Sequence, residues 1–428
     1  MNDTLFSFLN TSPTAFHAVD NIKKELLQEE YVELEEASRW ELEANKKYFV
    51  SRNASSILAF TTPTHFDTIQ VVATHLDSPC LKIKDNGTLM NHNSIRLNVE
   101  KYGGMIVSSW FDRPLSVAGR VIAHTKQGLK QKIINIDKDI AMIPNMAIHL
   151  NRNINQGHDY NIQKEVLPVF GQGEDFSLYR YIQEECRIEE DIVGGDLYLY
   201  NRQPAISWGI NGEYIASPRI DNLECSYALM KSFITSKTST TSLNIAVMFD
   251  NEEVGSRTKQ GADSTFLEQT LLRIKECFAL DEQDYASMIA KGFMISADNA
   301  HAYHPNYGEL YDLSNRPIIN QGVVIKHSAN QAYTTDGMSA SAFQLLCQKA
   351  KVPVQEFNNH SNIIGGSTLG NIATSHVSLS SVDIGLPQWA MHSAYEVAGK
   401  KDIQDLIKTL QYFYEHTLKV TKDSITVQ

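Results

Sequence analysis

Asn244-Ile-Ala-Val-Met-Phe-Asp-Asn-Glu-Glu-Val-Gly-Ser256 is the stretch on which the reading of the chain turns. Ile245 to Phe249 is an unbroken apolar run. Five such residues fit a buried parallel strand better than a helix. Asp250, Asn251 and Gly255 then break the pattern. Glu252 and Glu253 therefore fall just past the C-terminal end of a strand, where open α/β sheets bind ligands. Two adjacent carboxylates there can divide the labour, one holding a cation while the other moves a proton. A Glu-Glu pair is more often solvated surface, so its meaning depends on partners elsewhere in the chain.

Partners of the right kind recur in similar settings. Residues 68–74 read as a second strand, and it runs into His75-Leu-Asp-Ser-Pro79. His75 and Asp77 are two apart, so extended backbone points them the same way. Imidazole is a common zinc ligand, and a nearby carboxylate can fix its tautomer. Residues 292–298 form another apolar run, ending in Asp298. Ser217-Pro-Arg-Ile-Asp-Asn222 precedes an amphipathic helix, so Asp221 or Asn222 is either a helix cap or, for Asp221, a metal donor. If the strands are neighbours in one sheet, His75, Glu252, Glu253 and Asp298 meet on one rim, and His392 near the end of the chain can join them. Two His and three Asp/Glu, with a spare Glu, suit two divalent ions bridged by one carboxylate. Nitrogen and oxygen donors without thiolate favour Zn, Co or Mn at a catalytic site. Two metals roughly 3.5–4 Å apart can polarise a carbonyl and activate water.

The remainder frames this constellation. A first helix is expected after Thr11-Ser-Pro-Thr14, capped by Thr11 or Ser12, with Ala15, Phe16, Val19, Ile22 and Leu26 as its apolar stripe. Residues 48–50 and 56–60 read as strands. From about residue 81 to 201 the segments become short and β-rich, with strands expected at 105–111, 119–123 and 132–136. That texture predicts an inserted β-domain, residues 83–202, between two halves of an α/β domain, 1–82 and 203–428. Residues 182–192 read as an acidic, solvated helix, 236–242 as a loop, and the segment from Asp402 as a packing helix.

The chain has 428 residues, 42% apolar and 21% charged, with a net charge of −12. An acidic chain of this kind is not built for nucleic acid. Cys80, Cys186, Cys225, Cys277 and Cys347 are scattered without a C-x-x-C, which disfavours a disulfide framework and suits a reducing cytoplasm. The apolar run at 5–9 is too short for a signal peptide, and no stretch approaches the length of a membrane span.

Read together, Ser12-Pro-Thr14, His75-Leu-Asp-Ser-Pro79, Trp110-Phe-Asp-Arg113 with Ala118-Gly-Arg120, Ala147-Ile-His-Leu-Asn-Arg152, Ser217-Pro-Arg-Ile-Asp-Asn222, Asp250-Asn-Glu-Glu-Val-Gly-Ser256, Ala300-His301 with His304-Pro-Asn-Tyr307, and Met391-His-Ser393 resemble the aspartyl aminopeptidase family of dinuclear zinc exopeptidases, peptidase family M18. The resemblance implies a zinc-exopeptidase-like mixed sheet sandwiched by helices, with the insert serving as a dimerisation domain. It implies His75, Asp221, Glu253, Asp298 and His392 as metal ligands, with Asp221 bridging. Glu252 is then the general base, and Asp77 orients His75. Family members build a tetrahedral homododecamer, and the residue matching His149 enters the neighbouring subunit's active site. Lys326 is our candidate for pairing with an acidic substrate side chain. His301 stands beside the site in this reading and His304 is structural. Asn299, Gly365 and Asn371 depart from the family pattern.

The expectation is a cytoplasmic metalloaminopeptidase that releases an N-terminal Asp or Glu from peptides. Neutral N-terminal residues are the alternative preference. A dinuclear carboxypeptidase or N-deacylase is a different class, which needs an Arg clamp from Arg219, Arg257 or Arg316. A non-enzymatic assembly scaffold is a third.

Overall fold

Strand Ser242–Phe249 lies inside a nine-stranded sheet of the computed structural model, which describes residues 2–239 and 241–428. The strand order is Val32–Leu34, Lys46–Arg52, Ser56–Thr62, Ser242–Phe249, Thr68–His75, Phe293–Ala297, Ser380–Gly385, Val323–His327, Val354–Asn358. Ser242–Phe249 runs parallel to Thr68–His75 and antiparallel to Ser56–Thr62. Phe293–Ala297 runs parallel to Thr68–His75 on its other side.

The alternation of side chains explains why this run is apolar throughout. Ile245, Val247 and Phe249 join the cluster on one face, with helix Phe266–Cys277. Ala246 and Met248 join the other, with helices Ile220–Thr235 and Asp402–Glu415. A strand covered on both faces needs no polar side. Its few polar neighbours act as pins. The Asn244 amide donates to Tyr414 O at 2.8 Å, and the Tyr414 hydroxyl donates to Ile245 O at 2.8 Å. These bonds satisfy buried polar groups and dock the C-terminal helix.

A second sheet of six strands has the order Gly128–Asn135, Leu115–Thr125, Asp191–Asn201, Cys80–Asn91, Ser94–Tyr102, Val169–Gln172, with its own apolar cluster. A third has the order Ile206–Trp208, Tyr214–Ser217, Glu396–Gly399, Pro387–Trp389, Ala300–His301. Among the described residues no helix is long and apolar enough to cross a membrane.

Several local expectations are corrected. Residues 105–111 are no strand: Val107–Trp110 is a 3-10 turn, closed by the Ser109 hydroxyl donating to Ile106 O at 2.6 Å. The acidic helix begins and ends earlier, at Leu178–Cys186, and buries Ile182 in the second core. The later part of the expected helix enters strand Asp191–Asn201, because pairing with Leu115–Thr125 sets Asp191 opposite His124 and Ile192 opposite Ala123. The N-cap position of helix Ala15–Gln28 is Thr14, not Thr11 or Ser12. Ser12 is buried and accepts from Asn21 at 3.0 Å instead. The expected 236–242 loop contains Thr240, outside the described residues, and its last residue already starts strand Ser242–Phe249.

Gly385 marks a close approach between two adjacent strands of the large sheet. A Cβ there would lie 1.9 Å from Asp298 O. Gly385→Ala is therefore expected to cost about 1–3 kcal/mol, read as a lower urea midpoint. An unchanged midpoint would contradict this packing.

Candidate metal centre

Because Ser242–Phe249, Thr68–His75 and Phe293–Ala297 are parallel neighbours, their C-terminal ends share one rim. His75 is the last residue of its strand and pairs in register with Phe249. After Asp250 the chain turns through Asn251 at φ 61°, and Glu252–Val254 forms a 3-10 turn. Asp77 fixes that turn. Its Oδ1 accepts the Glu252 N–H and its Oδ2 the Glu253 N–H, each at 3.1 Å. The Tyr102 hydroxyl donates to the same Oδ2 at 2.7 Å. Asp77 Oδ1 is also 3.4 Å from His75 Nδ1.

Asp221 lies between two His–carboxylate pairs. Its Oδ1 is 3.5 Å from His75 Nε2, which is 3.3 Å from Asp298 Oδ1. Its Oδ2 is 3.6 Å from His392 Nε2, which is 3.3 Å from Glu253 Oε2. His75, Asp221 and Glu253 each offer a donor atom within 4.8 Å of the others. The capping alternative for Asp221 is not realised. Asp221 has non-helical backbone angles inside Ile220–Thr235, and the N-cap, Arg219, makes no side-chain cap bond.

Whether a cation fits can be judged from the donors. Asp221 Oδ1 and Glu253 Oε1 are buried without a hydrogen-bond partner. A buried, unpartnered carboxylate oxygen is costly, and a divalent cation satisfies it. The electrostatics agree. Burial pushes Glu252 up to about 8, with Asp298 and Asp77 adding like charge. Burial followed by Asp221 raises Glu253 well above the usual carboxylate range. Burial opposes the charged form of His75, but Asp221, Asp298 and Asp77 outweigh it and raise the imidazole. His392 rises to about 9, since Asp221 outweighs its burial. Protons on the imidazoles therefore stand in for positive charge that the carboxylates require.

The remaining sequence-derived positions divide. Lys326 joins the cluster: it is buried, with Nζ 3.4 Å from Asp298 Oδ2 and 5.5 Å from the Tyr333 ring centroid. Its charge is already shared with Asp298 rather than free. His301, on the short strand Ala300–His301, stands beside the cluster: desolvation and the charge of Lys326 lower its imidazole, against the opposite pull of Asp221 and Asp298, and His304 Nδ1 accepts the Asn306 N–H at 3.2 Å. His149 stands on an exposed turn between Ile148 and Leu150, both also exposed. Glu396 received no role from sequence, yet it is 1% exposed and accepts the Asp221 N–H at 3.0 Å and the His392 N–H at 2.7 Å. Its one signal is its place four residues after His392.

The pKa directions carry a testable sign. In the metal-free chain His392, raised to about 9, holds a proton at pH 7, and ligation requires the neutral imidazole. Zinc uptake at pH 7 is expected to release protons. Calorimetry in buffers of different ionisation enthalpy should give buffer-dependent heats; identical heats would contradict this charge state.

The family model described as "Aminopeptidase I zinc metalloprotease (M18)" matches residues 8–414. A probable M18 family aminopeptidase 2 of Clostridium novyi (strain NT) is 44% identical over 423 residues, covering 96% of this chain and 97% of the relative. A chain of a structure described as the cryo-EM structure of the Ape4 and Nbr1 complex is matched with a TM-score of 0.92 at 33% identity, over 96% of this chain and 85% of that one. A structure described as the mApe1 dodecamer superposes with a TM-score of 0.85 at 24% identity, over 97% and 96% of the two chains, a likeness of fold. Family, relatives and metal-fitting rim lead to one conclusion: this chain belongs to the M18 family and is a metal-dependent aminopeptidase.

Proposed function

We propose that the enzyme uses two divalent cations, zinc foremost with Co or Mn as substitutes, to remove an N-terminal Asp or Glu from peptides. One observation carries the two-cation reading: the two oxygens of Asp221 face separate His–carboxylate pairs. His75, Asp298 and Asp221 form one donor set, and His392, Glu253 and Asp221 the other. When bound, such cations act as Lewis acids toward the scissile carbonyl and the attacking water.

Glu252 is the general base. It lies beside Glu253 on the turn that Asp77 fixes. Its carboxylate takes the proton of the attacking water and returns it to the leaving amine. Asp77 aligns both His75 and the doublet. The peptide's free α-amine, in its neutral form, would also be taken by one of the cations, which would confine cleavage to the first residue. The three arginines available for a carboxylate clamp are placed otherwise. Arg219 donates to Leu9 O at 2.9 Å, Arg257 is 88% exposed, and Arg316 lies 5.0 Å over Tyr303.

Lys326 supports acidic preference as the buried cation of this cluster: a substrate carboxylate can share it with Asp298. Neutral preference is the second reading, favoured by that same Asp298 pairing, which leaves Lys326 less positive toward substrate. Residues 83–202 form the dimerisation insert in this proposal, and His149 completes a neighbour's site within a tetrahedral dodecamer in the cytoplasm. Exposed Met146, Ile148 and Leu150, the last 77% exposed, support an interface there.

Glu252→Gln is expected to lower kcat by about 10²–10⁴-fold with zinc content unchanged; full activity at full metal content would remove Glu252 from the mechanism. Asp- and Glu-leading chromogenic amides are expected to outpace Leu and Lys ones. Lys326→Gln should narrow the Asp-to-Leu ratio of kcat/KM by roughly 10-fold or more. An unaltered ratio would free Lys326 of that role. His149→Ala should keep the assembly intact, as read by light scattering, while slowing turnover.

A further inference from the structure

The donors nearest to Asp221 and His392 come from distant parts of the chain. Asp221 follows strand Tyr214–Ser217, and His392 occupies the loop between Pro387–Trp389 and Glu396–Gly399. Tyr214–Ser217 and Glu396–Gly399 pair antiparallel, with Ser217 opposite Glu396. That register brings the Glu396 side chain under both donors. Its Oε2 accepts the Asp221 N–H and its Oε1 the His392 N–H. Both acceptor positions are thus used on backbone, one on each donor-bearing segment.

His392 needs such a tether. Its φ is 67°, a left-handed value costly for a residue with a side chain. Its side chain is 32% exposed, against 1% for His75. His75 is held by a central strand, whereas His392 is held by a loop.

We propose that Glu396 is a positioning residue that sets the spacing between Asp221 and His392, and thereby the affinity of the cation position between them. The proposal rests on the ligand roles given above. A carboxylate is required because two N–H donors converge on one side chain. An amide in its place can accept with only one end, and its NH2 would face the second N–H. A shorter carboxylate cannot reach both donors at once.

A matched control exists in the same chain. Asp402 is another buried carboxylate that accepts two backbone N–H groups, from Asn320 at 2.6 Å and from Gly322 at 2.9 Å. It opens helix Asp402–Glu415 and bonds to neither Asp221 nor His392 there. Glu396 and Asp402 share burial and bonding but differ in what they hold.

The experiment titrates zinc alone into metal-stripped full-length chain, in competition with a chromogenic chelator, and records the melting temperature of each metal-free variant. Glu396→Gln is expected to weaken one zinc site by about 10–100-fold, and Glu396→Asp by a lesser factor. Asp402→Asn should lower the melting temperature while both zinc affinities stay within about twofold of the parent's, inside the range of an undisturbed outer shell. Wild-type affinity in Glu396→Gln overturns the proposal, as does an equal loss in Asp402→Asn. If Glu396→Gln does not fold, Glu396→Asp decides: parental affinity there overturns it. A parent chain that fails to take up two zinc ions overturns the two-cation reading itself, a result distinct from the first three.

Discussion

Concentrating negative charge at a buried rim is the constraint that shapes this molecule. Asp77, Asp221, Glu253 and Glu396 are all withdrawn from water within one small region. Carboxylates so placed repel one another and lose hydration, which neither apolar packing nor one lysine repays. Among the described residues the ion pair of Lys326 is with Asp298. The two imidazoles are drawn toward their charged forms, and two carboxylate oxygens remain without partners. A sheet that holds acids in this way is organised for cations. The nine-stranded core supplies the rigidity, since three of its adjacent parallel strands end at this rim.

The acids do not all serve in the same way. Asp221 and Glu253 turn free oxygens inward, while Asp77 and Glu396 direct theirs to backbone N–H groups. Asp77 joins the strand ending at His75 to the Glu252-Glu253 turn. Glu396 joins the Asp221 segment to the His392 loop. Each thereby couples two sequence-distant pieces. Left-handed backbone gathers at the same places: Arg219, Asn251 and His392 all have φ between 61° and 67°. Such residues cost of order 1–3 kcal/mol each and persist where surrounding bonds over-determine them. Asp77 and Glu396 provide bonds of that kind beside Asn251 and His392.

Much of this was legible from residue pattern. The runs ending at Phe249, His75 and Asp298 announced strands, because burial on both faces demands continuous apolar residues. Their adjacency was a conditional, and sheet order supplied it. What stayed hidden was whatever depended on pairing between distant segments. Residues 105–111 look like a strand by composition, but a turn bonded through Ser109 prevails. Residues from 191 look like the tail of an acidic helix, but Leu115–Thr125 captures them as a strand. Glu396 carried no local signal of its position, because its partners are the N–H groups of Asp221, far away in sequence, and of His392. Lys326 was read as a cation facing substrate, yet its carboxylate neighbour, Asp298, is also brought in by another strand.

These facts make the two halves of the centre unequal. The half containing His75 and Asp298 issues from adjacent core strands, and Lys326 moderates the charge of Asp298. The half containing His392 and Glu253 issues from a loop and a 3-10 turn, with no lysine ion pair among the described residues and with a more exposed imidazole. Asp221 spans both. Strand register fixes the backbone of the first half, since moving His75 would displace a strand registered against neighbours on either side. The second half has no such scaffold, and its geometry depends on hydrogen bonds that bring separate segments into place. Directional bonds to charged acceptors suit that task, because they fix distance and angle where apolar contact fixes only proximity. The carboxylates that contact no cation in this arrangement are therefore as much a part of the centre's construction as those that do.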